Sequence, residues 1–184
     1  TEKFTIRHVG IINERCDPRP FMRAIEKLIK ADPELKSRLL VDFVGEAHPE
    51  FKDFVFASPE LAAVTAFTSS IPHEELIAMY GKSSLLLLIL TGYRDPEGYM
   101  PGKLFEYLAT GLPVLGVGPT VGDAAALLAS TGAGEMLEGL DQEGIESKII
   151  GYFSAWKNGE VMVRSSDVSR YSRKNITKEL VELF

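Results

Sequence analysis

The sequence holds a single cysteine, Cys16, in 184 residues, which excludes an internal disulfide and any zinc site built from cysteines. Its three histidines, His8, His48 and His73, are scattered without metal-ligand spacing, so no metal is expected. The longest apolar run, Leu85 to Leu90, falls far short of the ~20 residues that a membrane-crossing helix needs. Nothing at the N-terminus resembles a signal peptide, and a cytoplasmic setting is the expectation. Thr1-Glu2-Lys3 leads straight into a strand pattern, which suggests an excised domain. Positive charge is also scarce: 20 Lys and Arg against 26 Asp and Glu give a formal net charge of -6. That balance argues against nucleic acid as a partner and against an anionic membrane contacted through this domain. It leaves room for a local basic pocket, because net charge does not describe a site. Internal repeats and low-complexity linkers are absent as well.

What is present reads as one globular domain, residues 1–184. Hydrophobic residues make up 45% and charged residues 25%, ordinary values for such a domain, and this length buries roughly 70% of the surface an unfolded chain exposes. Phe4 to Gly10 alternates and stops at glycine, a first strand. A polar loop with Arg15 and Arg19 follows, then a helix from Pro20 to Lys30 with Phe21, Ala24, Ile25, Leu28 and Ile29 as its apolar stripe. Asp32-Pro33-Glu34 opens a short helical turn through Leu39. Leu40 to Gly45 is a second strand, Glu46 to about Ala57 is left as a loop, and Val64 to Thr68 is a third strand. Ser70 to Glu75 opens a helix running to Tyr80, with proline in its first turn and acids favoured by the helix dipole.

Ser84 to Leu90 is a continuous apolar run, the mark of a central parallel strand covered on both faces. Thr91 to Met100 is a loop. Pro101 to Leu115 then reads as a short helix opened by Pro101 and Gly102, a stop at Gly111, and a buried strand beyond Pro113. Strand 114–118, helix 123–128, strand 134–138, helix 143–156 and a helical tail 175–184 complete the chain. The alternation gives α/β architecture: a doubly wound, Rossmann-like parallel sheet of about six strands with helices on both faces. Ligands of such sheets sit beyond the carboxyl ends of the strands where the order reverses. The loops after Gly10, Thr68, Leu90 and Gly118 are therefore the candidates.

Lys103 and Glu106 are the only charges on the Pro101 helix, and their i, i+3 spacing puts both on one face near its start. A carboxylate accepts both hydroxyls of a ribose at once; otherwise Glu106 is a solvated or Lys103-paired surface residue. The amides of Gly102, Lys103 and Leu104 open a helix, where donors and dipole favour a diphosphate; otherwise Lys103 snorkels to water. Arg15 and Arg19 offer bidentate phosphate contacts, set against the commoner solvated loop arginine. Gly10 lets a ligand approach the backbone. His73 is either a base or sugar contact or a surface residue at a helix start, and the backbone of Ile71 is free to read a nucleobase edge. Gly116-Val117-Gly118-Pro119-Thr120-Val121-Gly122 is not a dinucleotide fingerprint: its third glycine is one place late, and Pro119 removes an amide.

Together these residues resemble the C-terminal, donor-binding domain of GT-B fold glycosyltransferases of the family 4, group 1 kind. The likeness covers His8-Val9-Gly10 with its arginine loop, Val41 to Gly45, Ile71 to Glu75 and, most specifically, Lys103 to Leu115. It implies that Glu106 binds the ribose of a UDP- or GDP-linked sugar. It implies further that Lys103 with Arg15 or Arg19 meets the diphosphate, and that the backbone near Ile71 meets the base. The nucleotide sugar is then substrate, with no cofactor or metal, and a glycan or lipid acceptor is held by an N-terminal domain absent from this chain, so the fragment alone transfers nothing. Two positions depart from the family pattern. Gly98 stands where the family has the first of two glutamates, and Ile11 follows Gly10 where the family has arginine. The competing expectations are a GT-B type nucleotide-sugar epimerase domain, which requires extra acid and base groups, and a non-catalytic α/β nucleotide-binding or receiver-like module. The latter requires an acidic cluster after the first strand.

Overall fold

The computed structural model describes residues 2–91, 98–160 and 168–171. The expected tail helix 175–184 and most of the loop before Met100 lie outside these residues. Among them, strands β1 (Phe4–Val9), β2 (Leu39–Val44), β3 (Thr65–Thr68), β4 (Leu85–Ile89), β5 (Val114–Val117) and β6 (Gly134–Leu137) form one sheet in the order β3-β2-β1-β4-β5-β6. Every pairing is parallel. Chain order runs outward from the centre in both directions, so the reversal falls between β1 and β4.

The helices follow from local signals. α1 (Arg19–Ala31) buries Phe21, Met22, Ala24, Ile25, Leu28 and Ile29, the apolar stripe read from its periodicity, and begins one residue before the expected Pro20. α2 (Pro33–Arg38) is capped by Asp32, whose side chain accepts from the amides of Glu34 and Leu35. The stretch expected as loop from Glu46 to Ala57 is instead mostly helix α3 (Pro49–Phe56), and a further helix α4 (Pro59–Val64) follows. Both open with proline at the first position, where its missing N–H costs nothing, and Ser58 caps α4. α4 also takes Val64, which had been expected to begin the third strand. α5 (His73–Tyr80), α6 (Gly102–Thr110), α7 (Asp123–Thr131) and α8 (Gln142–Lys157) complete the set, with a 3-10 turn at Val168–Tyr171. α6 ends at Gly111 with φ +69, the left-handed residue expected there.

Side chains of β4 alternate between two cores, as the pleat requires. Leu85, Leu87 and Ile89 join a cluster with α1, α3, α4 and α8, while Leu86, Leu88 and Leu90 join one with α5, α6 and α7. Two helical layers thus cover both faces of the sheet. The run from Leu85 to Leu90 is buried throughout, which explains why it reads as unbroken rather than alternating.

One polar network sits within this apolar frame. The buried Arg7 donates through Nε to Asp42 Oδ2 at 2.9 Å and through Nη1 to Ser83 Oγ at 2.6 Å and to the Met79 carbonyl. Asp42 Oδ1 also accepts from Thr68 Oγ1 at 2.9 Å. Neither Arg7 nor Asp42 leaves a fully buried nitrogen or oxygen without a hydrogen-bond partner, which is the condition for keeping a buried ion pair. The network joins the end of β3 to the last turn of α5, the two ends of the segment that carries Ile71 and His73.

Candidate functional site

The carboxyl edge of the sheet is bare backbone where the order reverses. Gly10 has φ +137, its amide donates to the Val44 carbonyl at 2.9 Å, and it leads β1 into a loop. A side chain here is strained by the backbone angle and would displace the end of Lys103. A Cβ would stand 2.6 Å from Lys103 Nζ and 3.6 Å from His8 Nε2. Lys103 thus reaches from the first turn of α6, across the β4–β1 junction, to lie on Gly10.

The environment of this ammonium is unusual. Among the described residues no carboxylate pairs with it. Burial pushes its pKa down, countered by the neighbouring Cys16; burial pushes the Cys16 thiol up, countered by Lys103. His8 lies fully buried beside it, and burial, reinforced by the Lys103 charge and opposed by the Leu87 hydrogen bond, lowers its pKa to about 3. The ring is therefore neutral. Nδ1 donates to the Leu87 carbonyl at 3.0 Å, so Nε2 is the unprotonated acceptor, and it has no partner. α6 begins just above without a side-chain cap; of the three amides expected to be free, that of Leu104 donates to the Pro101 carbonyl at 2.9 Å, which leaves those of Gly102 and Lys103. A cation without a carboxylate partner among the described residues, a bare glycine and the first two amides of a helix at one point make an anion site in electrostatic terms.

Glu106 points elsewhere. It does not pair with Lys103; its Oε2 accepts from the Tyr80 hydroxyl at 3.0 Å. The pair borders a cavity of ≈ 470 Å³ between α5 and α6, lined also by His73, Ile77, Ala109 and Thr110. Burial, then the hydrogen bond to Glu106, raises the Tyr80 pKa, so the phenol stays a donor. Its ring packs edge-on against Tyr107, with centroids 5.8 Å apart. The Tyr107 hydroxyl in turn accepts from the Val9 amide at 2.9 Å. Ile71 is half-buried in the turn between β3 and α5, and His73 is exposed at the start of α5.

The two loop arginines separate. Arg19 is held by Asp17, with Nη2 to Oδ2 at 2.8 Å, and lines a different, small cavity with Asn13, His48 and Glu50. Arg15 is exposed and has no ion-pair partner among the described residues. Gly98 has φ +72, and its amide donates to Asp123 Oδ2, the first residue of α7, at 3.1 Å. The loops after Leu90 and Gly118 do share a cavity, of ≈ 260 Å³, that includes Thr91, Gly118 and Glu138. Among the described residues, no group of three His, Cys, Asp or Glu could hold a metal ion, and no helix is long and apolar enough to cross a membrane.

The sequence reading put Lys103 and Glu106 on one face near the helix start; the structure instead brings Lys103 to Gly10 and sets Glu106 with His73 at the cavity between α5 and α6. It missed His8, Tyr80 and Tyr107. Buried strand and helix residues carry no local sign of polar work, and only the adjacency of β1, β4 and α6 reveals it.

No protein-family model matches the chain, and no curated protein matches it in sequence. Solved structures match in fold. WaaG, a glycosyltransferase involved in lipopolysaccharide biosynthesis, superposes with TM-score 0.65 and 20% identity over 83% of this chain. An alpha,alpha-trehalose-phosphate synthase (UDP-forming) from Burkholderia vietnamiensis gives 0.61 and 11%, and the trehalose-6-phosphate synthase OtsA gives 0.62 and 12%, each over the same 83% of this chain. The chain spans 38% of the first two proteins and 36% of the third. The likeness is one of fold: six parallel strands with helices on both faces, arranged as one Rossmann-like half of the GT-B architecture.

Proposed function

We propose that this chain is the donor-binding half of a glycosyltransferase that moves a sugar from a UDP- or GDP-linked donor to a glycan or lipid acceptor. The observation that carries the reading is Lys103: an ammonium with no carboxylate partner among the described residues, seated on Gly10 where the strand order reverses. A diphosphate laid there receives the ammonium and the amides of Gly102 and Lys103, the Leu104 amide being taken by the Pro101 carbonyl at 2.9 Å. Arg15, the arginine not committed to another side chain, reaches the solvent side of the same group. The ribose then meets Glu106 at the cavity between α5 and α6, and the base meets the backbone at Ile71 with His73 beside it. In the whole enzyme these contacts stabilise charge on the departing diphosphate, and transfer requires the acceptor to be held by a further domain.

An epimerase reading asks for acid and base groups that face the sugar, and among the described residues nothing in the anion site supplies a carboxylate. A receiver-like module asks for acids at the end of β1, where Gly10 and Lys103 stand.

Titration calorimetry of the chain with UDP, GDP and ADP, repeated on Glu106→Ala, tests the proposal. We expect one diphosphate to bind and the substitution to weaken it roughly ten- to hundredfold, the range for hydrogen bonds to a charged group. No binding by any of the three at millimolar concentration rejects the donor reading. Binding that is indifferent to Glu106→Ala rejects the ribose contact alone.

A further inference from the structure

Glu106 is an exposed helix residue, yet its carboxylate is held by one buried donor. Tyr80 is 4% exposed. Its hydroxyl reaches Glu106 Oε2 at 3.0 Å. Its ring is fixed from below by Tyr107, whose own hydroxyl is tied to the Val9 amide at 2.9 Å and reaches the Leu87 carbonyl at 3.4 Å. The preceding residue is fixed as well, because the Met79 carbonyl accepts from the buried Arg7. An exposed glutamate ordinarily samples several rotamers, and a ligand must order it on binding. Here one oxygen is already bound to a donor on a buried, packed ring, and the residue borders the cavity.

We infer that Tyr80 is a positioning residue that fixes the Glu106 carboxylate for the vicinal hydroxyls of a ribose, so that it decides ribonucleotide over deoxynucleotide recognition. The inference rests on the proposed nucleotide site and adds to it the residue responsible for sugar discrimination within the nucleotide. The mechanism is preorganisation. With Oε2 committed to Tyr80, the plane of the carboxylate is set, and the remaining lone pairs meet the 2′- and 3′-hydroxyls in one geometry. Phosphate contacts at Gly10 and Lys103 do not involve this plane. Loss of the Tyr80 hydroxyl therefore acts on the ribose and leaves the diphosphate alone.

Tyr80→Phe keeps the ring and its packing and removes one oxygen. The experiment measures affinity for UDP and for 2′,3′-dideoxy-UDP with the wild-type chain, Tyr80→Phe, Glu106→Gln and the double variant. We expect the wild type to prefer UDP, the Tyr80→Phe ratio to fall about three- to tenfold, as expected for one hydrogen bond, and dideoxy-UDP affinity to stay unchanged. The double variant should fall no further than Glu106→Gln, because both act on one contact. A Tyr80→Phe chain that keeps the wild-type ratio while Glu106→Gln loses it overturns the inference and leaves the nucleotide site standing. Equal loss of both ligands in Tyr80→Phe assigns the hydroxyl to structure alone and also overturns it. A wild type that does not distinguish the two ligands removes the ribose contact, and this inference with it.

Discussion

Replacing Lys103 by methionine sets stability and binding against each other, and the signs follow from its surroundings. The ammonium lies over Gly10 with no carboxylate partner among the described residues, and burial lowers its pKa. A fully desolvated ion costs several kcal/mol even after relaxation. Lys103 is only half-buried, so the charge here costs about 1 kcal/mol. Methionine keeps an unbranched stem of similar length and removes the charge. We therefore expect Lys103→Met to stabilise the chain by about 1 kcal/mol, a rise in Tm of about 2–4 °C for a domain of this size. The same change should weaken UDP roughly 10- to 150-fold, the equivalent of one charge-assisted contact of about 1.5–3 kcal/mol. The pH dependence carries its own sign. Because the folded pKa lies below the ordinary 10.5, the unfolded chain holds the proton more tightly. The stability gap between variant and wild type is full at neutral pH and closes as pH rises toward 10.5, where native Lys103 gives up its proton first. Differential scanning fluorimetry from pH 7 to above 10, with calorimetry on UDP, reads both effects. A variant that melts lower and binds UDP as well as the wild type refutes the anion-site reasoning, because Lys103 is then a packing residue.

Two other outcomes follow from the same geometry. His8, with its pKa lowered from 6.5 to about 3, contributes stability that is complete above pH 6.5 and drains away as pH falls toward 3, by up to roughly 5 kcal/mol. His8→Asn, which can still donate to the Leu87 carbonyl, should flatten that acid slope in urea titrations, and an unchanged slope would place the acid sensitivity elsewhere. Arg15→Ala should weaken UDP about three- to tenfold by removing a solvent-side cation, while Arg19→Ala should leave affinity unchanged because Asp17 already holds that guanidinium; calorimetry giving the reverse order would move the diphosphate toward the start of α1.

Much of the fold was legible because glycine and proline punctuate it. Gly10, Gly45 and Gly111 each close an element, and the apolar run at β4 can only be a covered strand. The failure at α3 and α4 is instructive, since its signal was present. Asp32-Pro33-Glu34 was read as a helix start, and His48-Pro49-Glu50 and Ser58-Pro59-Glu60 repeat the same pattern of cap position, proline and acid. The aromatic residues between them obscured the short period, with Phe51 and Val55 facing inward and Phe56 left exposed. The site divides differently. Residue types near α6 pointed to a charged pair on one helix, but the partners of that pair are remote in sequence. Lys103 meets Gly10 and Cys16, and Glu106 meets Tyr80, contacts that exist only because β4 lies beside β1 and α5 beside α6. No periodicity encodes such pairings.

The divergence of Lys103 and Glu106 constrains how a ligand lies. Three residues of helix separate them, a rise of ~4.5 Å, but their side chains leave in different directions. Lys103 crosses the junction to β1 and Glu106 turns to α5. On the side of β1 away from α6, Gly45 stands against Gly10 so closely that a Cβ on it would lie 2.6 Å from the Gly10 carbonyl oxygen. Gly45 itself can therefore carry no side chain over the edge of the sheet there, and among the described residues Lys103 is a group that leans over it. A molecule that touches both charged residues must place its anionic end on bare backbone at the sheet edge and run along the first turns of α6 into the cavity between α5 and α6. Under the proposed function, this sets the diphosphate at the strand ends and the nucleoside against the helices. A reversed ligand would place its anion beside the Glu106 carboxylate, where like charges repel, and leave the Lys103 ammonium unpaired.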